Sequence, residues 1–235
     1  VYFLFREMSN ITPAFLAGFL TAVSQWHVTI SRWGWDALLM CFLQLICYWL
    51  LLAGLKKGRR SHLVLSGGVM GLCLYTYIAS WLALAIAISF LIFRSASERP
   101  VLGKRIQDAL FFLVPCLLVF VPLGSYYFSH PNDLFTRTAE LNIGKSVEAA
   151  QSFLPVWEGI SKYALMFNAK GDSNPRHGFP GEPLLDFVTA VFFVLGLVCC
   201  LRFWKNIHVA FVLIWFALGL QAGLLSEPSE APNAY

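Results

Sequence analysis

Asp36-Ala-Leu-Leu-Met-Cys-Phe-Leu-Gln-Leu-Ile-Cys-Tyr-Trp-Leu-Leu-Leu-Ala-Gly-Leu55 decides the fold. It is an apolar run with one charge, at its first residue, and it has the roughly 20-residue length that a helix needs to cross the hydrocarbon core. Runs of the same kind lie on both sides of it. Residues 11–29 form the span before it, whereas Val1-Tyr-Phe-Leu-Phe5 is too short to cross. Residues 62–93 are too long for one straight span, so a helical hairpin near Tyr77–Trp81 should divide them into 62–78 and 80–94. Residues 107–128 form a fifth span, with Pro115 and Pro122 as expected kinks. Residues 184–203 and 207–225 form the sixth and seventh. In lipid only closed hydrogen-bonded structures satisfy the backbone, and runs of this length make them helices. The expected fold is therefore all-α: a polytopic bundle of about seven complete spans, one transmembrane domain over 1–235, with a long outer loop over about 129–183.

Composition agrees. The 235 residues are 58% hydrophobic and only 13% charged, and the mean hydropathy is +0.66. That is too apolar for a soluble domain. The net charge of +4 does not indicate a nucleic-acid partner, because the basic residues fall in short clusters between apolar runs. The six cysteines (Cys41, Cys47, Cys73, Cys116, Cys199 and Cys200) sit inside apolar runs without CxxC spacing. They read as small apolar packing residues, not as a disulfide framework or a zinc site. Alternating the spans puts eleven of the seventeen Lys and Arg residues on one side, from Arg6 through Lys56, Arg60, Arg94 and Lys104 to Lys205. That side is expected to be cytoplasmic. The other side, with the long loop, then faces outward from the plasma (inner) membrane. The chain starts at Val1 and stops at Asn233-Ala-Tyr235. The expectation is an internal piece of a longer protein, with N-terminal span(s), a first outer loop and a C-terminal part beyond it.

The polar residues gather at the outer mouth. Ser31-Arg32 ends the first span, where Arg32 either snorkels to the headgroups or binds the phosphate of a lipid-linked donor. Asp36 would lie on the same face four residues later if the helix continues. Tyr75 and Tyr77 end the third span, as interfacial anchors or as donors to a sugar or phosphate. Arg137 follows the turn Pro131-Asn-Asp133 and has Glu140 as a candidate partner. The richest loop is Asn168-Ala-Lys-Gly-Asp-Ser-Asn-Pro-Arg-His177. Asp172 and Asn174 resemble the first ligands of a calcium loop, but the later ligand positions do not follow. Asp172 with His177 forms either an acid/base pair or an Asx-turn. Asp186 belongs at the first turn of the next helix, where a carboxylate complements the macrodipole. No GxxxxGK[ST], HExxH or GxSxG pattern occurs, which leaves nucleotide hydrolysis and soluble-hydrolase chemistry without support.

In order, Ala22-Val-Ser-Gln-Trp-His-Val-Thr-Ile-Ser-Arg32, Gly71-Leu-Cys-Leu-Tyr-Thr-Tyr77, His130-Pro-Asn-Asp-Leu-Phe-Thr-Arg137, Phe167 to His177 with Pro183-Leu-Leu-Asp186, and Ala231-Pro-Asn233 form a series. The series resembles the bacterial and archaeal GT-C glycosyltransferases, relatives of the dolichyl-phosphate-mannose protein mannosyltransferases and of the lipid A aminoarabinose transferase. The resemblance covers nearly the whole chain. It implies transfer of a sugar from a polyprenyl-phosphate donor to a protein or lipid/glycan acceptor on the outer face. It also implies an inverting displacement, in which a carboxylate deprotonates the acceptor hydroxyl and the polyprenyl phosphate leaves. That carboxylate lies in the family's first outer loop, outside this chain, so the chain alone should be inactive. Arg176, Arg32, His177 and Arg137 are the candidates for stabilising the anionic leaving group; Tyr75, Tyr77, Asp172 and Asn174 complete the donor-site candidates. The chain departs from the family at Trp81, where an Arg is common, and at Gly178, where an Asn is common. No cofactor is implied, and the donor site leaves a divalent metal open.

Two other classes fit part of the pattern. An O-antigen-type polysaccharide polymerase or ligase also carries a long outer loop with arginines. A non-catalytic transport or structural subunit is the other alternative, although transporters place charge at mid-membrane and these spans carry almost none at their centres.

Overall fold

The computed structural model describes residues 1–32, 34–98, 101–133, 147–148, 150–171 and 180–224; of Trp26 and Ala222 the backbone alone is described. Every regular element among the described residues is an α-helix: α1 (Tyr2–Met8), α2 (Ile11–Val23), α3 (Gln25–Ser31), α4 (Asp36–Lys57), α5 (Arg60–Cys73), α6 (Ser80–Ser97), α7 (Leu102–Ser129), α8 (Leu154–Met166), α9 (Phe187–Arg202) and α10 (Ile207–Leu224). The chain divides into two compact units, Val1–Tyr126 and Tyr127–Tyr235.

Three of the described helices, α4, α6 and α7, are long and apolar enough to cross a membrane. At 1.5 Å per residue the 22 residues of α4 span about 33 Å, close to the thickness of the hydrocarbon core. Helices α2 and α9 are apolar but shorter. The expected span over 11–29 is broken: Ser24 has extended backbone angles, so α2 stops and α3 starts afresh. The expected hairpin within 62–93 is present. Its turn occupies 74–79, and α5 ends at Cys73 after 14 residues, short of a straight crossing. Helix α7 runs unbroken through Pro115 and Pro122.

In the first unit α4 is the central element, with Cys47, Tyr48 and Leu50 to Leu55 buried. The tight connection at Gly58-Arg59 returns the chain as α5, antiparallel to α4. The Ser66 hydroxyl donates to the Cys47 carbonyl (2.8 Å), and the Cys73 thiol donates to the Met40 carbonyl (3.6 Å). The buried polar side chains of α4 are matched. The Gln44 side chain donates to the Tyr48 hydroxyl, which in turn donates to the Ala83 carbonyl of α6, both at 2.9 Å. Pairing matters because a buried amide or hydroxyl without a partner costs on the order of 1–3 kcal/mol.

Helix α5 runs parallel to α7 at very close range. A Cβ on Gly67 would run into the Phe112 carbonyl. One on Gly71 would stand 2.6 Å from Val119 Cβ and 2.8 Å from the Cys116 carbonyl. Glycines four apart share a helix face and let backbones meet, which is how helices gain packing energy in lipid, where apolar burial alone gives little. The far face of α7 is bare: Ile106, Leu110, Val114, Leu117, Leu118 and Val121 are all exposed. An aqueous protein rarely exposes so continuous an apolar stripe; in a bilayer it is the lipid-facing side.

In the second unit, Phe167, Phe193 and Phe216 form an aromatic cluster with ring centroids 4.9–6.0 Å apart. Within the expected outer loop, α8 runs from Leu154 to Met166. Gln151 sits at φ 46, which ends any helix before it, and Pro155 opens α8 where no amide donor is needed. Asp186 caps α9, accepting from the amides of Val188 and Thr189 (3.1 Å each) and from the Thr189 hydroxyl (2.5 Å).

Candidate functional site

Charge divides the first unit into two ends. At one end four cations have partners. Lys57 bonds Glu7 at 2.6 Å, Arg94 bonds Glu98 at 2.8 Å and Asp108 at 3.3 Å, and Arg60 stacks on Phe111 with its guanidinium 5.1 Å from the ring centre. At the other end lie the C-terminus of α3, the start of α4, the 74–79 turn, the start of α6 and the Pro122 region of α7.

That second end holds three of the expected site residues. Arg32 follows α3 as its C-cap residue, is exposed, and has no ion-pair partner among the described residues. The pairing of Arg32 with Asp36 required a continuous helix, and the helix does not continue. Gly34 adopts φ +62, a left-handed conformation that glycine enters without Cβ strain. Asp36 therefore begins α4 instead, where its charge complements the helix N-terminus.

Tyr77 meets the Trp35 ring edge-on at 6.0 Å, joining the 74–79 turn to the entrance of α4. Tyr75 does something the sequence did not suggest. Its hydroxyl donates to the Val119 carbonyl (2.9 Å) and accepts from the Leu123 amide (3.3 Å). In a regular helix that amide and that carbonyl bond each other. The phenol is thus inserted into the ladder of α7, one residue from Pro122, where the ladder already lacks a donor. The hydroxyl has one proton, so donating to a sugar would require it to leave Val119. Trp81, in the position where the resembling family often has Arg, packs edge-on against Phe120 of α7 at 5.2 Å.

The other expected site residues, Arg137, Asp172, Asn174, Arg176 and His177, lie outside the described residues, as does Glu140. The two flanks of the 172–179 segment are described and meet each other. The Gly171 amide donates to the Gly181 carbonyl (3.2 Å), the Leu184 amide to Met166 (2.9 Å) and the Leu185 amide to Phe167 (3.1 Å). A Cβ on Gly171 would strike the Glu182 carbonyl. The Asn168 side chain donates to the Ala190 carbonyl of α9 at 3.3 Å. The richest polar loop thus enters and leaves the second unit at a single clasp.

Sequence reasoning missed Ser80. Its hydroxyl is fully buried at the start of α6 without a hydrogen-bond partner among the described residues. It also missed the Gly67/Gly71 face, although the four-residue spacing was there to be read. No three His, Cys, Asp or Glu side chains converge among the described residues. The cysteines are free: Cys47, Cys73 and Cys116 are buried, as expected, while Cys41 and Cys199 lie exposed on the apolar outer faces of their helices.

Residues 1–126 match the family model of dolichyl-phosphate-mannose-protein mannosyltransferases. The chain belongs to this family. The match ends at Tyr126, where the first compact unit also ends, so the family pattern coincides with the unit built around α4 and the α5–α7 contact. No curated protein and no solved structure matches the chain. Membership points to a membrane glycosyltransferase of the mannosyltransferase type, consistent with the apolar, span-length helices. Arg32 is exposed and has no ion-pair partner among the described residues. A guanidinium presents two parallel N–H donors to two oxygens.

Proposed function

We propose that this chain is the membrane core of an enzyme that moves a sugar from a polyprenyl-phosphate donor to a protein or lipid/glycan acceptor at the outer face of the membrane. The family match over the α1–α7 unit carries the reading, because Arg32, Tyr75 and Tyr77 all lie at one end of that unit. In this proposal seven spans cross the plasma (inner) membrane, with α2 and α3 together making the first crossing. The long loop over 129–183 faces outward. The leaving polyprenyl phosphate is stabilised chiefly by Arg176 and Arg32, with His177 and Arg137 in support. Asp172, Asn174 and Tyr77 orient the sugar, and Tyr75 holds α7 at the mouth. The general base is a carboxylate, as the family resemblance implies; no resident organic cofactor is assigned, and a divalent metal stays open.

A developing phosphate charge in a site shielded from water responds strongly to fixed positive donors. Losing one such donor typically costs on the order of 10²-fold in turnover. The test uses the full-length protein in membranes with a radiolabelled polyprenyl-phosphate sugar. Arg32→Ala and Arg176→Ala should each reduce transfer by about that factor while the protein stays folded. Unchanged transfer in both variants would remove these residues from the donor site.

A further inference from the structure

We propose that the turn between α9 and α10 is a binding site for the headgroup of an anionic phospholipid. The turn forms a concavity of about 630 Å³ lined by Arg202, Phe203, Trp204, Lys205, Asn206 and Val209. This is within the size range of small-ligand sites, about 300–1,000 Å³. Lys56, Lys57 and Arg94 all have carboxylate partners, whereas neither Arg202 nor Lys205 has an ion-pair partner among the described residues. The sequence explains why: no Asp or Glu occurs anywhere from 187 to 224. The positive charge of this turn is therefore compensated from outside the helix pair.

The site's neighbours identify the anion's carrier. Phe203 is 62% exposed and Trp204 51%, at the end of an apolar helix whose Val194, Leu195, Val198 and Leu201 are also exposed. Aromatic rings beside exposed aliphatic faces mark the headgroup depth of a bilayer. An anion held there with apolar rings at its flank is borne by a lipid. The Asn206 carbonyl oxygen is used up capping the amides of His208 (2.9 Å) and Val209 (3.3 Å). Its amide nitrogen remains a donor, as does the Trp204 indole. Arg202 can then take two phosphodiester oxygens, Lys205 the remaining negative charge, and Asn206 and Trp204 the glycerol and ester oxygens.

The test compares the full protein in mild detergent with phosphatidylglycerol and with phosphatidylcholine, reading retained lipid by native mass spectrometry and stability by thermal unfolding. Wild type should retain and be stabilised by phosphatidylglycerol over phosphatidylcholine. The double variant Arg202→Gln/Lys205→Gln should lose on the order of 30-fold in phosphatidylglycerol retention, from two basic residues near an anionic surface. Arg202→Lys/Lys205→Arg should keep it. Three results would each overturn the assignment: equal retention of the two lipids by wild type, undiminished phosphatidylglycerol retention in the charge-removed variant, or inorganic phosphate at matched concentration stabilising the protein as well as the lipid does. The wild-type comparison decides the matter even if the double variant does not fold.

Discussion

Gly67 and Gly68 are adjacent in α5 and should respond to alanine with opposite signs. Each substitution gains the same intrinsic helix propensity, about 1 kcal/mol for Gly to Ala in a helix interior. The surroundings differ. Around Gly68 a new Cβ meets nothing within 4 Å, whereas at Gly67 it runs into the Phe112 carbonyl and lies 3.3 Å from the Cys116 amide nitrogen. Those obstacles are backbone atoms of α7, so no rotamer change relieves them and the two helices must separate. Overpacking costs typically about 1–3 kcal/mol, and the upper part of that range applies when backbone is the obstacle. The shared propensity gain offsets only part of it. Gly68→Ala should therefore be neutral to about 1 kcal/mol more stable, and Gly67→Ala should be destabilised by about 1–2 kcal/mol. Thermal unfolding in detergent, followed by tryptophan fluorescence, measures both. If Gly67→Ala were as stable as Gly68→Ala, the close α5–α7 approach would be wrong.

Further outcomes follow from single contacts. Tyr75→Phe removes the hydroxyl inserted between Leu123 and Val119 and should cost about 1 kcal/mol; an unchanged melting curve would mean that α7 closes its own ladder there. Tyr48→Phe strands the buried Gln44 amide and should destabilise by on the order of 1–3 kcal/mol, and Gln44→Leu in the same background should recover part of the loss; additive losses would contradict the pairing. The Asp186 carboxyl is held below its usual pKa, first by the Thr189 hydroxyl and then by backbone amides. A depressed folded value means that its contribution is fully present above the unfolded value of about 3.9 and is lost as pH falls through the lower folded one. Asp186→Asn should accordingly be less stable than wild type at neutral pH, with the gap closing in strong acid; a gap independent of pH would remove the charge from the argument.

The class of the fold was legible because its signal is long and one-sided. The run at 36–55 became α4 with its first residue in place, and the overlong run at 62–93 broke into a hairpin as its length required. Boundaries were less legible where tertiary contacts set them. Ser24 interrupts the first apolar run without a proline or glycine to announce it. Conversely, α7 continues through Pro115 and Pro122 without a break. Tyr75, from the 74–79 turn, takes up backbone groups beside the second, and no local pattern within α7 reveals a partner more than forty residues away. Gly34, by contrast, was a visible breaker, and it explains why Arg32 and Asp36 do not share a helix face. At the site, the residue types were legible but their commitments were not. Tyr75 read as an interfacial anchor or a donor and proves to be engaged by α7, while Asp186 had the right position and the right physical role, as a helix cap.

The most direct test of the account is the choice of donor. Membranes containing the full-length protein would be supplied in parallel with a radiolabelled polyprenyl-phosphate sugar and with the corresponding nucleotide sugar, and transfer to endogenous acceptor counted. The account predicts label transferred from the polyprenyl-phosphate donor and reduced on the order of 10²-fold in Arg176→Ala. Transfer from the nucleotide sugar alone, or from neither donor by a protein shown to be folded, would contradict it.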